Sequence, residues 1–319
     1  VRPQSRPRAA FGAFAVICLC AASSRAQATA PAEDYQPVSF YIATSYLFPS
    51  GVSGTDASIT RATVLGDAAL RLPPVSDNLS FGLFVAGGSI SYDFDGDARL
   101  GNPANVDPWQ RVNLASMGAT AFYEDGKWSG FGALNLSWAA EDGAAFADGF
   151  TGGGFGGVSY AFSPDLTLGV GLIVQSRLDD DLVIVPIPTL RWTPDFDAQR
   201  RWTIEIGSQN AGPVLGAGGT VSFRTSDQLT LSAGITGFGI GGEFRLRDDG
   251  PIRGGVGRDF STPAVLSATW TPRPGIRVNG FAGANVFGNL QVLDSNGDKI
   301  GDRDLETGFI AGVSATLAF

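Results

Sequence analysis

The chain has 319 residues, a formal net charge of −9, no histidine and only two cysteines, Cys18 and Cys20. Without histidine, neither a His-based zinc site nor a Ser-His-Asp triad can be built, and so acidic a chain is a poor match for a nucleic-acid backbone. Its 44 glycines and 17% charged residues make it too apolar for disorder and too glycine-rich for a helical protein.

The first element is a leader. Arg2, Arg6 and Arg8 precede an apolar run from Ala9 to Ala22, and small residues follow from Ser23 to Ala28. A basic start, a short apolar run and a small-residue cleavage site predict a signal peptide over 1–26, cut after Ala26, with Ala28 as the alternative. The run is too short to cross a bilayer as a helix. Ile17 and Leu19 precede the two cysteines where a lipoprotein signal needs a small residue, so lipidation is not expected. Residues 27–37 are then a short periplasmic segment and 38–319 the folded domain, free of cysteine and so of disulfides.

From there on, period-two alternation dominates, punctuated by Gly, Pro, Asp and Asn. Trp128, Leu134, Leu136 and Trp138 share one face of a predicted strand, with Phe131, Ala133 and Asn135 on the other. Leu166, Leu168, Val170, Leu172 and Val174 share a face of the next clear case. Further on, Ile276, Val278, Ala282, Val286 and Leu290 oppose Arg277, Asn279, Phe281, Phe287 and Asn289. The last segment puts Phe309, Ala311, Val313, Ala315, Leu317 and Phe319 together. Such runs are longer than the roughly 5–6 residues of soluble strands and suit the roughly 9–11 residues of a tilted membrane strand. Trp128, Trp138, Trp192, Trp202, Trp270 and Phe319 stand where interfacial aromatic girdles are expected.

Connections alternate between short (72–78, 124–127, 163–165, 193–201, 225–227, 271–275) and long (48–58, 93–107, 141–149, 176–181, 247–262, 294–305), with a brief one near Gly207 to Gly212. The expected fold is therefore all-β: a transmembrane antiparallel up-and-down β-barrel of about 14 strands, or 12 if the segments near Trp202 or Val265 are not independent. With apolar residues toward lipid, Arg61, Asp67, Arg71, Arg111, Arg191, Glu205, Arg224 and Arg277 are the expected lumen-lining charges. They would make either an anion-favouring channel or a closed lumen filled with ion pairs. Trp192 is expected near Trp202 across the 193–201 turn, which sets Arg191 opposite Thr203 and diagonal to Glu205. Pro186 and Pro188 lack ladder amides and mark either a bulge or an interruption that opens a lateral path.

Other patterns carry less. Gly152-Gly-Gly-Phe-Gly-Gly157 has nucleotide-loop spacing, but a strand follows it instead of the required helix. Asp294, Asn296 and Asp298 are spaced like calcium ligands, yet Lys299 replaces the glycine of such a loop and an Asn-Gly turn accounts for the segment. Loosely held calcium or magnesium, bridging acidic loops to lipopolysaccharide phosphates, is the expected extent of metal binding. No organic cofactor is expected.

The closing Val313-Ser-Ala-Thr-Leu-Ala-Phe319 resembles the C-terminal signal read by the bacterial barrel-assembly machinery. Val185 to Pro194, Trp202 to Gly207 and Gly242 to Asp248 resemble an uncharacterised family of outer-membrane β-barrels, which brings no catalytic or ligand residues with it. The resemblance implies a non-enzymatic protein of the bacterial outer membrane. The expected function is porin-like passive passage of small solutes, or a structural role. The alternative is a closed-barrel surface binding protein that uses acidic external loops.

Overall fold

The computed structural model describes residues 36–103, 106–179, 181–194, 196, 199–211, 214–238 and 241–319. The expected signal peptide lies outside the described residues, as does all but the end of the 27–37 segment. Among the described residues no helix is long and apolar enough to cross a membrane.

The strands, in chain order, are β1 (Val38–Gly51), β2 (Ser58–Arg71), β3 (Leu79–Asp95), β4 (Arg111–Asp125), β5 (Trp128–Glu141), β6 (Phe150–Ser163), β7 (Leu166–Ser176), β8 (Leu182–Trp192), β9 (Trp202–Ala211), β10 (Val214–Arg224), β11 (Leu229–Phe238), β12 (Gly241–Arg245), β13 (Val256–Arg273), β14 (Ile276–Leu293), β15 (Lys299–Leu305) and β16 (Gly308–Ala318). Fourteen of them close an antiparallel barrel; the short β12 and β15 extend β11 and β16 above breaks. Strands β1 to β11 pair in sequence, then β11 with β13, β13 with β14, β14 with β16, and β16 with β1. Paired amides and carbonyls of Val38 and Phe319 finish the seam at 3.0 Å. The segments near Trp202 and Val265 are independent strands, β9 and β13, so the count is 14 and not 12.

The alternation decides which face meets what. Ile42, Val64, Val85, Met117, Leu134, Val170, Leu266 and Val313 are large, apolar and exposed, and all point outward. A continuous apolar belt on a closed barrel is the lipid-facing surface of a transmembrane wall. The inward face has a recurring device. Phe84, Phe131 and Phe281 lie on Gly118, Gly157 and Gly312, their direct partners on the next strand. A Cβ at those glycines would stand 2.5, 2.8 and 2.5 Å from a ring carbon. Part of the glycine excess therefore makes room for inward rings.

The β2–β3, β4–β5, β6–β7, β8–β9, β10–β11 and β13–β14 connections and both chain ends of the barrel lie at one end, here the lower; the connections expected to be long, and the brief β9–β10 turn, lie at the upper end. The wall is uneven. β1 to β5 run 14–17 residues and β13 and β14 run 18, whereas β7 to β11 run 10–11. Four expected loops prove partly to be wall: β1 runs to Gly51 inside 48–58, β3 to Asp95 inside 93–107, β13 begins at Val256 inside 247–262, and β15 occupies most of 294–305. The face assignment along β14 also needs correction. Val286 is skipped between the pairs Thr262–Phe287 and Pro263–Asn285. This bulge inverts the strand, sending Phe287 outward and burying Leu290, as a one-residue slip must.

Candidate functional site: a sealed mouth above a gap in the wall

The tall side of the barrel folds over its own mouth. Upper residues of β2 to β5 face β12, β14 and β15 across a single apolar core that includes Ile59, Tyr92, Phe94, Leu100, Trp109, Val112, Phe244, Leu246, Leu290 and Val292. Trp109 is its centre, edge-on to Tyr92, Phe94 and Phe244 at 5.8, 5.6 and 5.2 Å between ring centroids. At its edge Glu141 accepts the amides of Gln110 and Arg247, each at 3.1 Å. Below this core Arg61 pairs with Asp259 and donates to Ser261 at 3.0 Å, while Tyr92 donates to Asp259 at 3.1 Å. A water-filled mouth is thus replaced by close-packed side chains.

Under the sealed mouth, the inner wall of β4 to β8 is graded. One cross-strand row reads Phe122, Phe131, Gly157, Gly171, Ile187, and the next row up reads Thr120, Ala133, Phe155, Ile173, Val185. Ala133, Phe155, Ile173 and Ile187 are buried as one cluster, with Phe131, Val183, Val185 and Ala217 packed against it. The row above is more polar: Gly118, Asn135, Gly153, Gln175, Val183.

Beside this apolar patch the wall is not laddered. Among the described residues, β8 and β9 pair only over Leu190–Trp192 with Ile204–Ile206. β8 keeps its whole ladder to β7, and β9 its ladder to β10. Two features cause the gap. Gly207 takes φ +138°, a conformation nearly reserved for glycine, and its partner in β10 is Gly218, so both strands of the hairpin can bend there. β9 also comes within 8 Å of β11 and β13. On the facing edge, the β7–β8 ladder runs unbroken through Pro186 and Pro188. The missing amides must therefore face β9, and that edge cannot donate there. The unpaired stretch spans Leu182 to Thr189, above Trp192 at the lower end, and so lies at the depth of the apolar belt, where Leu182 and Ile184 are exposed.

The charges expected in the lumen are distributed differently. Arg61 is buried in its ion pair and Asp67 faces inward opposite Tyr41. Arg191 stands directly opposite Glu205, Nε to Oε1 3.8 Å, as the rung that ends the gap from below. The pair forms, but the register differs by two from the expected diagonal: Trp192 faces Ile204 and not Trp202. Arg71, Arg224 and Arg277 sit at the lower ends of β2, β10 and β14, on the rim. Arg111 is a correction. Val112 and Leu114 are drawn into the mouth core, so alternation puts Arg111 on the outer face with Met117.

Trp128, Trp192, Trp202, Trp270 and Phe319 lie at the lower end. Trp138 lies at the upper end, stacked on Phe146 at 5.4 Å. Asp294 spends its Oδ1 on the amides of Asn296 and Asp298 at 2.8 and 3.0 Å, as an ordinary turn does. Among the described residues no group of three metal-binding side chains occurs. Sequence reasoning missed Tyr92, Trp109, Glu243, Phe244, Arg258 and Asp259, because the mouth is assembled from segments far apart in the chain. The glycine and proline signals of the gap were visible, but not that they face each other.

No protein-family model matches the chain, and no curated protein matches its sequence. Solved structures match its fold. The TodX monoaromatic hydrocarbon channel, as its deltaS2 mutant, superposes with a TM-score of 0.51 at 12% identity over 91% of both chains. The P. putida toluene transporter TodX gives 0.50 at 12% identity, again over 91% of both. The chain is similar to a channel and a transporter in its barrel; at this identity the likeness is one of fold.

Proposed function

We propose that this protein is an outer-membrane channel for passive passage of small apolar solutes, which move between its lumen and the bilayer through the gap between β8 and β9. The observation that carries the reading is the ladder that stops after three rungs beside an apolar inner wall. The sealed mouth argues against an always-open aqueous pore. Ion pairing of Arg61 and Arg191 argues against an anion filter, since each is offset by a carboxylate. The fold shared with a monoaromatic hydrocarbon channel and a toluene transporter supports the same class of solute. In this reading the leader exports the chain, the terminal Phe319 strand addresses the assembly machinery, and the acidic upper loops meet lipopolysaccharide through divalent ions.

The test is uptake in vesicles whose outer leaflet is lipopolysaccharide, because toluene crosses a plain phospholipid bilayer unaided. Radiolabelled toluene should equilibrate faster with protein than without it, and an uncharged sugar of similar size should not. The sealed mouth also favours the alternative, a closed surface binding protein, and equal toluene rates with and without protein would favour it instead.

A further inference from the structure

A sealed mouth must open for solutes to pass, and the gap must be held at some width. We propose that the carboxylate of Glu243 latches the β7–β8 turn, and with it the upper end of β8, to the mouth cover, so that cover opening and gap width change together. This rests on the channel reading above.

The turn 177–181 joins β7 to the strand that forms one edge of the gap. Around the wall, β9, β10 and β11 separate β8 from β13. The turn nevertheless docks on β12 and β13, so it reaches them across the mouth. Glu243 Oε1 receives Arg177 Nη2 and Arg258 Nε, each at 2.6 Å, and Glu243 Oε2 accepts the Leu178 amide at 3.2 Å. Arg258 also pairs with Asp179, and Arg245 donates to the Leu178 carbonyl at 3.1 Å. The side chains of Arg177, Asp179, Glu243 and Arg258 are each at most 11% exposed. Leu178 itself is seated between Val256 and Leu293.

The remaining donors of Arg245 go to the carbonyls of Asp148 and Gly254 at 3.0 and 2.9 Å, so the same cover segment also holds the β5–β6 connection. Two buried cations and two buried anions balance here, and removing one strands its partners in a dry site. The other edge of β8 has no ladder above Leu190 to hold it. Once the turn lets go, the top of β8 keeps its β7 ladder and the packing of Val183 and Val185 on the inner wall, and among the described residues no ladder holds its other edge.

Glu243 is therefore a positioning residue, and its test must read the gap itself. The described residues contain no cysteine, so spin labels can be placed singly. One pair goes at Ile184, on the β8 edge of the gap, and at Val221, a fixed reference on β10 level with the Trp192–Ile204 rung, both exposed on the outer face; a control pair goes at Val158 and Val170, which are ladder partners. In protein carrying Cys18→Ser and Cys20→Ser, in lipid, Arg177→Gln should broaden and shift the Ile184–Val221 distance distribution and leave Val158–Val170 unchanged. Glu243→Gln should do the same. Toluene uptake should rise roughly a hundredfold or more, the least expected from stranding a buried charge. If Arg177→Gln does not fold, Leu178→Ala keeps every charge, removes only the apolar seat, and should give the same shift. An unchanged Ile184–Val221 distance in folded variants overturns the latch. A shifted distance with no toluene uptake by any form upholds the latch and overturns the channel reading.

Discussion

Trp109 is fully buried at the centre of the mouth core, with three aromatic rings edge-on around it. Trp109→Ala should cost the closed mouth about 3–5 kcal/mol, the usual range for deleting a buried aromatic. Trp109 Nε1 finds no acceptor among the described residues. The substitution therefore also removes an unpaired donor, which moves the figure toward the lower end, about 3 kcal/mol. At 1.4 kcal/mol per factor of ten, that is roughly a hundredfold shift in the ratio of closed to open mouths. The lower barrel should survive, because its ladders do not pass through this core. Planar-bilayer recording should show rare openings for the parent protein and frequent ones for Trp109→Ala, with heat-modifiable migration retained by both. Equal conductance in the two, with both folded, would refute the claim that this core is the seal.

Gly157→Ala should destabilise the barrel by about 1–3 kcal/mol through overpacking against the Phe131 ring, and Phe131→Leu should recover part of that in urea titrations in detergent. Arg191 and Glu205 are 40% and 32% exposed, so a double-mutant cycle should give a coupling below about 1 kcal/mol; a value of several kcal/mol would mean the lumen is drier there than the structure shows. The amides of Asn296 and Asp298 hold the Asp294 carboxyl below the usual carboxylate range. A carboxyl lowered on folding stabilises the turn above its ordinary range and loses that as pH falls through the lowered value. Protease cleavage of 294–298 should therefore rise on acidification, and should already be high at neutral pH in Asp294→Ala.

How much of this was legible depends on whether the information is local. Alternation along β5, β7 and β16 is local, and it marked Leu134, Val170 and Val313 as outward residues before any fold was known. The Val286 bulge faces Pro263 of β13, and nothing within β14 itself puts that proline beside it, so alternation alone places Phe287 and Leu290 on the wrong faces. The Trp192–Trp202 pairing failed for a different reason. Thr193 is anchored by its amide to Asp165 of the neighbouring turn, and Trp202 stacks on Phe223 at 4.8 Å. Each tryptophan is held by its other neighbour, which a hairpin taken alone cannot reveal. The mouth was least legible of all. Glu243, Arg258 and Asp259 lie near apparent breaks in the pattern, and only the unequal height of the two sides of the barrel brings them over the lumen.

The central claim is that apolar solutes leave through the wall while ions do not cross freely. The most direct measurement is paired: radiolabelled toluene uptake and ionic conductance for the same protein in the same lipid. The account predicts protein-dependent toluene uptake with little steady conductance. A large steady conductance that passes sugars and ions as readily as toluene would contradict it.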